Sequence, residues 1–143
     1  MAESKYGHHI ITDLKPGLNV PDFRSESADR MTHFLWIGDE VVKGSLYMEC
    51  VWIWRASEGQ GPEPHTHDFD EILAFWGTNP DDIHDLGGEI EFWLEDEKHI
   101  ITKSCLIYVP KGMKHCPLRT TRLDRPIIHF FVANKGSYTG DTK

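Results

Sequence analysis

The apolar residues of this chain fall into short runs rich in aromatic and β-branched side chains, each closed by turn residues. That pattern decides most of what the chain can fold into. The clearest case is residues 89–95 (EIEFWLE), where Ile90, Phe92 and Leu94 alternate with Glu89, Glu91, Trp93 and Glu95. Successive side chains of a strand point to opposite faces, so this segment reads as a strand with one dry and one wet side. Residues 33–37 (HFLWI) stop at Gly38 and Asp39. Residues 45–55 (SLYMECVWIWR) also alternate, setting Leu46, Met48, Cys50, Trp52 and Trp54 on one face. Residues 71–76 (EILAFW), 104–109 (SCLIYV) and 126–133 (PIIHFFVA) complete the set. No segment holds a helical period with caps at both ends, and no repeat is visible. The expectation is an all-β sandwich or barrel.

At 143 residues the chain has the length of one domain, large enough to bury roughly 70% of its unfolded surface. We expect an N-terminal strand and arm over 1–33, a barrel over 34–133 and a flexible polar tail over 134–143. A formal net charge of -8 offers no basic stripe for nucleic acid. No run approaches the ~18 apolar residues of a membrane span, and the first residues lack the apolar region of a signal peptide. Cys50, Cys105 and Cys116 cannot all pair within the chain, which points to a reduced, cytoplasmic setting. Patterns for a serine nucleophile elbow, a dinucleotide fold or a phosphate-binding loop are absent.

Composition leaves one feature unexplained, namely nine histidines in so short a chain. Three of them gather with an acid. Residues 59–71 (GQGPEPHTHDFDE) contain His65-x-His67-x3-Glu71, and residues 110–115 (PKGMKH) place His115 after a turn. In an extended segment His65 and His67 project side by side. Glu71, opening the next strand after a short bend, can return a carboxylate to the same spot. Chance would assemble this whole pattern about 0.001 times in a chain of such composition. Three neutral imidazoles and one carboxylate suit a divalent transition metal ion: Fe, Mn, Ni, Zn or Cu. Four protein ligands in an octahedral shell leave two positions open for water or substrate, an arrangement of catalytic rather than structural sites.

The same residues resemble the cupin superfamily, whose first motif reads G-x5-HxH-x3,4-E-x6-G and whose second reads G-x5-PxG-x2-H-x3-N. Gly59, His65, His67 and Glu71 match the first, and Pro110, Gly112 and His115 match the core of the second. The resemblance covers roughly residues 34–133. It implies a double-stranded β-helix (a jelly-roll barrel) in which His65, His67, Glu71 and His115 hold one metal ion per chain. Ser104 stands where the second motif has glycine, and Arg119 where it has asparagine. The closing glycine of the first motif is best matched by Gly88. Residues 77–86 (GTNPDDIHDL) then become an insertion, a polar hairpin that is either a surface elaboration or a lid.

If Glu71 faces inward, so do Leu73 and Phe75, while Ile72, Ala74 and Trp76 make an apolar outer face. Such a face suggests a homodimer, and cupins commonly dimerise. His129, alone in an apolar strand, is either a hydrogen-bonded core residue or an inward general base. Tyr108 faces either the core or the pocket, and Trp52 with Trp54 offers an aromatic wall to a cavity or a core. Cys116 is expected buried, and His8 and His9 lie in the expected N-terminal strand. The functional expectation is a metal-dependent enzyme acting on a small polar or aromatic molecule, of dioxygenase, isomerase or decarboxylase type. Glu71 and His129 are its candidate catalytic residues. The alternative is a non-catalytic cupin that binds or senses a small molecule.

Overall fold

The computed structural model describes residues 4–14 and 30–135. The sequence predicted an all-β chain, and eight strands carry it: β1 (Met31–Ile37), β2 (Tyr47–Ile53), β3 (Glu71–Trp76), β4 (Asp85–Leu94), β5 (Glu97–Lys103), β6 (Cys105–Val109), β7 (His115–Leu123) and β8 (Ile127–Ala133). Among the described residues there is no α-helix. Five strands form one sheet in the order β1-β2-β8-β3-β6, and three form the other in the order β5-β4-β7. Every pairing within both sheets is antiparallel. Between them lies a core that includes Tyr47, Phe75, Leu86, Ile90, Phe92 and Ile127, all fully buried. Burying each such side chain contributes roughly 1.5–3 kcal/mol against the entropy of ordering the chain.

Several expectations need correction. No strand forms at the N-terminus among the described residues. Gly7–His9 instead make one turn of 3-10 helix that places His8 and His9 on the surface. Most of the arm, residues 15–29, lies outside the described residues, as do residues 136–143 of the tail. Two strands escaped notice. β5 (EKHIITK) is a solvated edge strand with almost no buried face, and β7 (HCPLRTTRL) contains Pro117 and charged residues. Proline is tolerated in β7 because that strand lies at a sheet edge, where a missing N–H breaks no inner ladder.

The buried face of β2 is the one opposite the large apolar residues Leu46, Met48, Cys50, Trp52 and Trp54. Tyr47, Glu49, Val51 and Ile53 are buried, and Trp52 and Trp54 stack on each other on the outer side, 5.0 Å between centroids. Among the described residues neither tryptophan belongs to the buried core. Tyr108 likewise points outward, 59% exposed.

Residues 77–86 are not a free hairpin. Asp85 and Leu86 open β4, and Leu86 is core. The remaining connector is clasped at its base. Ser104 fills the turn where the motif has glycine, accepting from the Gly77 N–H at 3.0 Å and donating its hydroxyl to the Ile83 carbonyl at 2.9 Å. A Cβ on Gly77 would lie 1.9 Å from the Asp85 carbonyl oxygen, so only glycine fits there. The start of the tail is also tied down. The Asn134 side chain exchanges hydrogen bonds with Asp70, and Lys135 pairs with Asp68 at 3.1 Å.

Candidate metal centre

The two histidine motifs are joined by their backbones. His65 and His115 form an isolated antiparallel bridge, with both N–H groups donating to the other's carbonyl at 3.1 and 3.0 Å. Gly112 N–H donates to the His67 carbonyl at 3.0 Å, and Lys111 N–H donates to Asp70 Oδ1 at 2.8 Å. The turn that includes Lys111 and Gly112, whose φ of 82° favours glycine, thus docks onto the segment that carries His65 and His67.

Three imidazoles and one carboxylate meet at this junction. The ring centroids of His65, His67 and His115 lie 4.4–4.9 Å apart, and one nitrogen of each falls within 4.8 Å of the other two. Glu71 is buried beside them, with Oε1 3.7 Å from His115 Nε2 and Oε2 3.9 Å from His67 Nε2. Ligands of one transition ion at ~2.1 Å stand about 3–4 Å from their neighbours, and these separations approach that. Two of the rings are already oriented. His65 Nδ1–H donates to the Glu63 carbonyl at 2.7 Å, and His115 Nδ1–H donates to the Met113 carbonyl at 3.0 Å. Both bonds leave Nε2 as the lone-pair nitrogen, as metal-binding histidines require. The third ring, His67, stacks on Phe69 at 4.6 Å and 14°.

Burial sets the electrostatics. It pushes the Glu71 carboxyl up to about 7. Burial also holds His115 down to about 4, with smaller contributions from the backbone bond to Met113, which opposes, and from His65 and His67. The thiol of Cys116, buried as expected, is pushed up to about 12 by burial and by Glu71. The centre thus sets a neutral His115 imidazole beside a carboxylate that pays heavily for its charge. A divalent cation would satisfy both, so the donor set fits a transition metal ion.

His129 lies apart from this cluster. Its row of the inner sheet face is shared with Phe75 and Val51, whereas Glu71 shares a row with Ala133. Four residues along the strand separate the two rows, about 13 Å. Its Nδ1–H donates to the Ala74 carbonyl at 2.9 Å, its ring stacks on Phe75 at 4.3 Å, and burial holds it down to about 4. With His33, Arg30, Phe75 and Phe131 it lines a cavity of about 50 Å³.

One buried polar group escaped the sequence entirely. Glu49, fully buried on β2, accepts from the Tyr47 hydroxyl and lies 3.2 Å from His33 Nε2. In residues 45–55 the face of Leu46, Met48, Cys50, Trp52 and Trp54 is the more apolar on paper, so alternation gave no reason to choose the face that carries Glu49. Arg119, at the motif's asparagine position, faces Glu91 at 3.7 Å.

No family model and no curated protein matches the chain. Solved structures do. An oxalate oxidase in complex with the substrate analogue glycolate superposes with a TM-score of 0.57 at 12% identity, over 94% of this chain and 63% of that one. The polyketide cyclase RemF from Streptomyces resistomycificus superposes with a TM-score of 0.52 at 15% identity, over 79% of this chain and 70% of that one. A DMSP lyase reaches a TM-score of 0.45 at 16% identity, over 70% of this chain and 45% of that one. The chain therefore spans less than two thirds of the oxalate oxidase and of the DMSP lyase. The likeness defines the fold: two antiparallel sheets wound as a double-stranded β-helix, the cupin fold. Among the described residues no helix is long and apolar enough to cross a membrane.

Proposed function

We propose that the chain is a metal-dependent cupin enzyme acting on a small molecule, with one divalent transition ion held by His65, His67, Glu71 and His115. The supporting observation is the convergence of these four side chains from two motifs, with His65 and His115 already fixed through their Nδ1 bonds. When bound, such an ion supplies Lewis acidity toward a substrate oxygen or activates water at its open positions. The chain's own part is to present the Nε2 lone pairs, to keep Glu71 away from bulk water, and to move protons. Glu71 and His129 are the groups assigned to that last task, Glu71 at the ion and His129 from the cavity of about 50 Å³ that it lines, about 13 Å along the sheet. Dioxygenase, isomerase and decarboxylase chemistries all suit this arrangement. The test is elemental analysis of protein purified without added metal. Wild type should carry close to one ion per chain and His67→Ala should carry almost none; equal content in both would refute the assignment.

The same proposal extends to assembly and setting. Ile72, Trp76, Leu106 and Tyr108 are exposed on the outer face of the five-stranded sheet. Ile72 pairs with Tyr108 and Val132, and Ala74 pairs with Leu106 and Phe130, so the apolar surface runs across three strands. Ala74 itself is covered, being the small residue between two large ones. A second copy of the chain is the proposed cover. Light scattering at micromolar concentration should give a dimer for wild type and a monomer for Trp76→Asp. Free thiols at Cys50, Cys105 and Cys116 suit the reducing cytoplasm we assign to it.

A further inference from the structure

Strands β5 and β6 are edges of different sheets, joined through Ser104, and a groove of about 380 Å³ opens between them. Its walls are Phe92, Leu94, Ile101, Cys105 and Ile107, with Lys103 at its exposed rim. Phe92 is fully buried and the other four wall residues are half-buried, so the groove deepens inward along an apolar surface.

The strand register carries this surface to the candidate metal centre. On β6, Ile107 pairs with Leu73 and the next inward residue, Val109, pairs with Glu71 itself. On β4, Leu94 pairs with His115, and the Phe92 ring lies 6.4 Å from the His115 ring. Paired residues stand about 5 Å apart across neighbouring strands. Leu94, in the groove wall, is therefore one strand away from the candidate ligand His115, and Ile107 lies two residues along β6 from Val109, the partner of Glu71.

Charge narrows the occupant. No acid lines the groove, its one charged residue is Lys103, and the centre at its inner end would hold a cation. In a chain of net charge -8 this groove is lined by a lysine and no acid, with Glu97 touching its lining His99 at 3.3 Å. Its volume sits at the low end of the roughly 300–1,000 Å³ of small-molecule sites.

Resting on the metal-centre proposal above, we propose that this groove is the substrate channel. Its substrate is a small organic acid with an aryl or short alkyl body. The body packs on Phe92, Leu94, Ile101 and Ile107, the anionic oxygens point toward the metal, and Lys103 draws the acid in.

Benzoate, with benzylamine as its cationic counterpart, tests this. Full-length protein is loaded with Mn(II), bound Mn(II) is counted by electron paramagnetic resonance, and ligand proton relaxation is measured. Saturation transfer from protein methyl groups to benzoate is recorded in parallel on metal-free protein. Benzoate relaxation should be enhanced at least tenfold more than that of benzylamine, and Ile107→Trp should remove most of the enhancement while leaving bound Mn(II) unchanged. N-ethylmaleimide attached at Cys105 of the wild-type chain should do the same, which covers a failure of the tryptophan variant to fold. Equal enhancement by benzylamine, or full benzoate enhancement in both blocked forms, would overturn the channel. If wild type binds no Mn(II), and elemental analysis finds no Fe, Ni, Cu or Zn in its place, the metal proposal fails by itself. The channel is then judged by whether saturation transfer to benzoate disappears on blocking: its loss supports the channel and its persistence refutes it.

Discussion

Glu71 sets stability against function, and the size of the conflict follows from its burial. In the folded, metal-free protein its carboxyl is raised from 4.5 to about 7 by desolvation. An acid whose folded pKa lies above its unfolded value keeps its proton longer in the native state. The native state is thus favoured below the unfolded value, and this contribution is lost as pH rises from 4.5 through about 7. Two to three pKa units correspond to about 3 kcal/mol at pH 8. Glu71→Gln keeps the shape and removes the charge. Freed of metal with EDTA and unfolded in urea, the variant should be more stable than wild type by up to about 3 kcal/mol at pH 8 and nearly equal to it at pH 5. In metal-loaded protein the order should reverse, because only wild type offers a carboxylate to the ion. A metal-free variant that is less stable than wild type at pH 8, or a difference that ignores pH, would refute the reasoning.

Metal affinity should follow the same group: below about 7, protonation of Glu71 competes with the ion, and each pH unit should weaken binding up to about tenfold, readable by Mn(II) titration between pH 5 and 8. The lowered pKa of His115 adds no competition until pH nears 4. Gly77→Ala should destabilise the fold by about 2 kcal/mol or more, because its Cβ would meet the Asp85 carbonyl oxygen at 1.9 Å, and thermal unfolding would show it.

Much of the fold was legible because its strands alternate. Residues 89–95 alternate apolar with acidic residues, and Ile90 and Phe92 are indeed fully buried. Alternation failed where it had nothing to discriminate. β2 carries apolar residues on both faces and most of them on the outer one, so alternation could not show that Glu49 lies inside or that the stacked tryptophans lie outside. β5 buries almost nothing, and β7 owes its place to pairing with β4 rather than to its own pattern. The four candidate ligands were legible for a different reason. Spacing within an extended segment and across one turn fixes direction, and such local geometry survives without knowledge of the remaining fold. The backbone bridge between His65 and His115, which joins the two motifs, was not legible, because it links residues fifty positions apart in sequence.

The clasp at the base of the β3–β4 connector has a practical consequence. Gly77, Ser104 and Ile83 fix where the connector leaves and re-enters the barrel, whereas Pro80, Asp81 and Asp82 stand in solvent. Foreign sequence spliced between Pro80 and Asp82 would replace the turn bonds that Asn79 makes with Asp81 and Asp82 and leave the clasp of Gly77, Ser104 and Ile83 in place. The barrel thus offers a grafting point nine residues beyond Glu71 on the described connector.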